Sequence, residues 1–215
     1  MNSRRTIFLD LDGPILNCKD RHFACYREIC RANDLRPMDI ETYWERKRRL
    51  VPGVQLFSES GARGDGGELV RQWIELIEQD EYLAFDTAQP GVEAVLSRWV
   101  SSGCRLRLIT LRRREGALNV QLRRLGLANL FDDITVCDPS LGHEGKAAGA
   151  VLNVRPSEIP GSAWIGDTEV DARAAAIVGC GSVFLVTCGI RTGDFLRSLN
   201  IGRVVPDVPA IRDLM

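Results

Sequence analysis

Thr6-Ile7-Phe8-Leu9-Asp10-Leu11-Asp12-Gly13-Pro14 decides the fold of this 215-residue chain. The apolar run has no alternation, which is the pattern of a strand covered on both faces, as in a parallel sheet. Gly13-Pro14 then breaks the strand and turns the chain outward. Asp10 and Asp12 therefore sit where a parallel sheet opens, and open α/β sheets bind ligands beyond the carboxyl ends of their strands. Two carboxylates held together there need a cation, a shared proton or solvent to offset them. The segment points to a divalent metal.

Outward from this stretch, strand signals recur at 104–110, 134–137, 162–166 and 182–187, separated by helical patterns. Apolar residues step by three and four at Val92, Val95, Leu96 and Trp99, at Leu111, Leu118, Leu122 and Leu125, and at Ala172, Ala175 and Ala176 within 168–178. Strands alternating with helices predict parallel β/α units. The expected fold is therefore α/β, a Rossmann-like parallel sheet with helices on both faces, and Arg203-Val204-Val205 is a candidate edge strand.

One interval is too long for an ordinary crossover: 75 residues, 15–89, separate Pro14 from Pro90, where about a dozen suffice. The interval has its own helical spacing at Cys18, His22, Cys25 and Ile29, at Ile40, Tyr43, Trp44 and Leu50, and at Leu69, Trp73 and Ile77. It reads as a small α-helical domain inserted after the first strand, with a Gly-rich loop over 61–67 and a return hinge over 87–91. The α/β core is then 1–14 with 90–215.

Bulk properties exclude several classes. A formal net charge of −1 gives no global field toward nucleic acid or membrane. No apolar stretch approaches the ~20 residues of a membrane span, and 1–5 carry no cleavable signal pattern. Seven cysteines, an odd number without paired spacing, suggest reduced thiols. These features predict a cytoplasmic protein, a monomer or homodimer, with no nucleic-acid or membrane partner.

Polar residues at the strand ends fall in a definite chain order: Asp10 and Asp12 after the first strand, Thr110 closing the second, Lys146 before the fourth, and Asp167 and Asp171 after it. In Gly166-Asp167-Thr168-Glu169-Val170-Asp171 the second carboxylate follows the first by one helical turn. This series, Asp-x-Asp-Gly, Thr, Lys and Gly-Asp-x-x-x-Asp, resembles the haloacid dehalogenase superfamily, and the insertion resembles the helical cap of its phosphoglycolate phosphatase and β-phosphoglucomutase-like branch. Pro14 and Ala147 stand where that branch more often has Thr or Val and Pro.

The resemblance implies a Mg²⁺-dependent phosphatase acting on a small phosphorylated metabolite. Asp10 would be the nucleophile that forms an aspartyl-phosphate, and Asp12 the general acid and base. Side chains of Asp10 and Asp167 with the main-chain carbonyl of Asp12 would hold Mg²⁺. Thr110 and Lys146 would neutralise the phosphoryl oxygens, and Asp171 would orient Lys146 or a metal-bound water. An aspartate at position 12 favours transfer from an oxygen leaving group, because a halide needs no proton donor. The cap would select the substrate. Its basic run Arg46-Lys47-Arg48-Arg49 offers Lys47 and Arg49 to an anionic substrate, and Arg112, in the run after Thr110, is expected near the same mouth. A phosphomutase, or a phospho-accepting regulatory module without turnover, would use a similar residue set.

Overall fold

The computed structural model describes residues 4–212 and 214. The chain forms two compact units, Met1–Asn17 with Ala88–Met215, and Cys18–Thr87. The chain passes between them next to two short strands, β2 (Leu16–Asn17) and β3 (Thr87–Ala88). These edges lie a few residues inside the span 15–89 read from the sequence.

The first unit is built on six strands: β1 (Thr6–Leu9), β4 (Arg105–Thr110), β5 (Asp133–Val136), β6 (Ala163–Gly166), β7 (Ser182–Val186) and β8 (Arg203–Val205). Their order in the sheet is β5-β4-β1-β6-β7-β8, with every pair parallel. This is the expected Rossmann-like α/β fold, and Arg203–Val205 is its edge strand. β1 is central, Leu9 lying opposite Leu108 of β4 and Ile165 of β6.

The continuous apolar run of β1 is explained by what covers it. Ile7 and Leu9 pack with Leu106, Leu108 and Ile165 against α6 (Val92–Ser101) and α7 (Glu115–Arg124), through Val95, Leu96, Trp99, Leu118 and Leu122. Phe8 faces the other way, with Ile109 and Trp164, against Ala147 and Ala150 of α8 (Gly142–Val151) and Ala174 and Ala175 of α9 (Glu169–Val178). The Phe8 and Trp164 rings lie 5.5 Å apart. Each large side chain so buried contributes roughly 1.5–3 kcal/mol. A last helix, α10 (Gly193–Ser198), precedes β8.

The second unit is helical: α1 (Lys19–Ala32), α2 (Ile40–Arg48), α3 (Gly53–Glu59), α4 (Gly67–Leu76) and α5 (Asp80–Leu83). Its core is Tyr26, Ile29, Cys30, Tyr43, Leu56 and Phe57, with Tyr26 stacked on Tyr43 at 4.4 Å. The stripe Cys18, His22, Cys25 and Ile29 is the buried face of α1 and the residue before it, and His22 lies between the rings of Trp44 and Trp73. α2 starts where the Asp39 carboxylate accepts the N–H groups of Glu41 and Thr42, both at 3.0 Å. Among the described residues no helix is long and apolar enough to cross a membrane.

Candidate active site

The side chains that matter leave the sheet at its carboxyl edge. The ladder continues one step past β1, Asp10 N–H donating to the Ile165 carbonyl at 2.9 Å, and this sets Asp10 beside the end of β6. Asp167 is the first residue beyond β6, and Asp171 lies in the first turn of α9. Asp10, Asp167 and Asp171 are all buried, and one carboxylate oxygen from each lies within 4.8 Å of the others.

Lys146, from the buried face of α8, reaches this cluster. Its Nζ lies 2.7 Å from Asp10 Oδ1 and 2.7 Å from Asp171 Oδ1. Asp171 uses its second oxygen to accept the N–H groups of Asp167 and Thr168, each at 3.2 Å, and the Thr168 hydroxyl at 2.7 Å. Thr168 caps α9 in return, so Asp171 both starts the helix and aims the ammonium. Asp167 differs: Oδ2 accepts Ile190 N–H at 2.5 Å, whereas Oδ1 is buried without a hydrogen-bond partner. A buried carboxylate oxygen left so is costly unless something else meets it.

Charge makes the same point. With all three ionised, the carboxylates would exceed the single ammonium by two negative charges. Burial, then the Asp171 charge, push Asp10 up to about 7 against the pull of Lys146. Asp167 is raised well above the ordinary carboxylate range by burial and by Asp10 and Asp171. Asp171 is held low in spite of burial, by the Lys146 charge and its hydrogen bonds. Burial opposes the charge on Lys146, but Asp10 and Asp171 outweigh it and keep the ammonium protonated. Excess charge of −2, hard oxygen donors and one orphaned oxygen together fit a divalent cation such as Mg²⁺.

Asp12 stands apart from the trio. Arg112 Nε donates to its Oδ2 at 2.8 Å and Arg112 Nη2 to its Oδ1 at 2.7 Å, a bidentate fork. Arg112 is buried. Arg112, expected near the mouth, lies before α7, which starts only at Glu115, and its guanidinium is engaged by Asp12. Thr110 ends β4, buried, with its carbonyl accepting Cys137 N–H at 2.8 Å.

Within the helical unit, Lys47 Nζ lies 4.6 Å from the centroid of the Trp73 ring, and Arg49 pairs with Glu45 at 2.7 Å. Arg46 pairs with Glu59. The basic run is thus largely engaged by its own unit.

The sequence matches the family model of haloacid dehalogenase-like hydrolases over residues 4–179. The chain belongs to that family. No curated protein matches it. Among solved structures, a haloacid dehalogenase-like family hydrolase from Streptococcus pneumoniae superposes with a TM-score of 0.73 at 19% identity, covering 95% of this chain and 94% of that one. A predicted phosphatase from Clostridium acetobutylicum gives 0.74 at 17%, covering 96% and 95%. A candidate HAD hydrolase from Bacillus subtilis, bound to magnesium, gives 0.65 at 15%, covering 96% of each chain.

In this hydrolase, then, Asp10, Lys146, Asp167 and Asp171 converge, and Asp12 lies beside them in a separate ion pair. Three participants escaped the sequence reading: Arg112 as the partner of Asp12, the Gly189-Ile190 turn that grips Asp167, and Gln89, whose amide donates to the Gly13 carbonyl at 2.8 Å. Only the turn had a usable signal, because 187–190 follow a parallel strand at the edge where such sheets bind ligands.

Proposed function

We propose that this hydrolase is a phosphatase that cleaves a small phosphate monoester in the cytoplasm through an aspartyl-phosphate on Asp10. The observation that carries this reading is the buried cluster of Asp10, Asp167 and Asp171 around a single ammonium, with one carboxylate oxygen left unpaired. Seven free cysteines agree with a reducing compartment.

In this reading an Asp10 oxygen attacks phosphorus while the bond from phosphorus to the ester oxygen breaks. Asp12, protonated once its fork with Arg112 opens as substrate enters, gives that proton to the departing alkoxide, then takes one from the water that cleaves the aspartyl-phosphate, so that both carboxyl groups return to their starting state. Lys146 and the hydroxyl of Thr110 face the charge that moves onto the phosphoryl oxygens. Asp171 keeps Lys146 aimed. The side chains of Asp10 and Asp167 with the main-chain carbonyl of Asp12 would hold Mg²⁺, whose charge lets an anionic nucleophile approach an anionic phosphate.

The helical unit Cys18–Thr87 is the cap in this scheme and selects the organic part of the substrate. Lys47 and Arg49 are its candidate contacts for an anionic group, and the Arg49–Glu45 pair is exposed enough to open at little cost.

The test is release of inorganic phosphate from a panel of phosphorylated metabolites with and without Mg²⁺. Turnover that requires Mg²⁺ and disappears in Asp10→Asn is the expected outcome. Wild-type turnover in that variant would exclude Asp10 as nucleophile.

A further inference from the structure

Asp167 is gripped on one side by the turn that follows β7. A Cβ built on Gly189 would lie 2.0 Å from Asp167 Oδ2 and 2.5 Å from its Cγ, so the carboxylate rests directly on the Gly189 backbone. Gly13 also approaches it closely, its Cβ position falling 2.1 Å from Oδ2 and 2.9 Å from Oδ1. Gly13 has a φ of +108° and would be a glycine for conformational reasons alone. Gly189 is absent from the positive-φ residues, so at that position the requirement is one of space. The next residue, Ile190, gives its N–H to the same oxygen, Oδ2. Oδ1, the atom without a hydrogen-bond partner, is left for the cluster.

The turn is itself anchored. Thr187 N–H and Cys188 N–H donate to the carbonyls of Val205 and Pro206 at 2.9 and 3.0 Å. Gln89 Nε2 spans the Gly13 and Cys188 carbonyls at 2.8 and 3.5 Å, and Cys188 Sγ lies 3.6 Å from the Gly13 carbonyl. On the far side of Gly189, Arg191 Nε and Nη2 donate to Glu169 Oε2 and Oε1 at 2.7 and 2.9 Å, so the turn is held on both flanks and the carboxylate would have to move to admit a methyl group.

We propose that Gly189 and the Ile190 N–H are positioning elements for the divalent cation: they occupy Asp167 Oδ2 and so present Oδ1 as the single oxygen that Asp167 offers. This rests on the metal reading of the site given above. Groups that orient a metal ligand typically change affinity by 10–100-fold when altered. Gly189→Ala alters no charge, no donor and no ligand.

Calorimetric titration of the substrate-free chain with Mg²⁺, together with thermal melts in EDTA, tests the assignment. Gly189→Ala should bind Mg²⁺ at least about tenfold more weakly than the unmodified chain, and should lower Tm by about 4 °C or more, as overpacking of a rigid site does. In an Asp167→Ala background the same change should cost little Tm, because the carboxylate it displaces is gone. A Gly189→Ala variant too unstable to titrate is read through that background: folding restored in the double variant supports the proposal, and continued misfolding overturns it. Unchanged Mg²⁺ affinity, or an equal Tm loss with and without the Asp167 carboxylate, also overturns it. Failure of the unmodified chain to bind Mg²⁺ would instead overturn the metal reading on which it rests.

Discussion

Asp10 and Asp12 are two residues apart, yet their surroundings give them different chemistry. Asp10 is buried, shares Lys146 with Asp171 and carries the burden of two neighbouring carboxylates. Asp12 lies in the two-pronged grip of Arg112 and contributes no side-chain oxygen to the trio. Changing the Asp12 side chain should therefore disable proton transfer without emptying the metal site. Asp12→Asn is expected to lower kcat by about 10²–10⁴-fold, the range typical of a lost general acid–base, while Mg²⁺ affinity measured by calorimetry stays within about threefold of wild type. A parallel fall in both would place the Asp12 carboxylate among the metal ligands. At this scale the aspartates were legible in the sequence because a carboxylate ending a buried apolar strand needs a cation or a proton to offset its charge. Arg112 was legible as a residue but not in its role, since a partner 100 positions away leaves no local pattern.

Elements show the same contrast. α6 has a full apolar stripe and is plain in the sequence, whereas α8 is built from small residues and its buried face includes Gly145, Lys146 and Gly149. A helix that packs through glycine and alanine against a sheet carries little periodic signal, and Lys146, its residue at the carboxylate cluster, points inward. α3 and α5, with seven and four residues, are too short for a 3.6-residue period to emerge. α9 depends on its first turn. The Thr168 hydroxyl lies 3.4 Å from Asp171 N–H as acceptor and donates to Asp171 Oδ2 at 2.7 Å, so the helix cap and the electrostatic cluster share one residue. Thr168→Ala should cost about 1 kcal/mol by chemical denaturation, the usual loss for an N-cap. It should also lower kcat, because Asp171 would aim Lys146 less firmly. A stability loss with unchanged kcat would separate the cap from the site.

For the whole molecule, the charge excess at the carboxyl edge of the sheet makes stability depend on pH and cation together. Asp10, raised to about 7, and Asp167, also raised, hold protons in the folded chain that an ordinary carboxyl, near 3.8, would release when unfolded. The contribution of Asp10 is complete below about 4 and is lost as pH rises through about 7, and that of Asp167, raised in the same direction, is likewise present in acid and lost as pH rises. Asp171, held low, acts oppositely and loses its contribution only in acid. Lys146 stays protonated throughout the neutral range. Without metal the site is thus weakest above pH 7, where a divalent cation would replace the missing protons. Mg²⁺ at about 100 times its Kd contributes about 2.7 kcal/mol, roughly 5–10 °C in Tm for a chain of this size. Scanning fluorimetry should show a larger rise in Tm with Mg²⁺ at pH 8 than at pH 6, and equal rises would remove Asp10 and Asp167 from the linkage.

The central place of β1 also bears on how the chain comes together during synthesis. Thr6–Leu9 is made first, but its two neighbours in the sheet begin at Arg105 and Ala163. Between these events the ribosome delivers all of Cys18–Thr87, a unit whose five helices and core close within one continuous stretch. Local contacts form fast and distant pairings slowly. The helical unit can be complete while Ile7, Phe8 and Leu9 still wait, uncovered, for the strands that bury them, so the segment that leads into Asp10, the proposed nucleophile, is also one exposed to aggregation as the chain emerges.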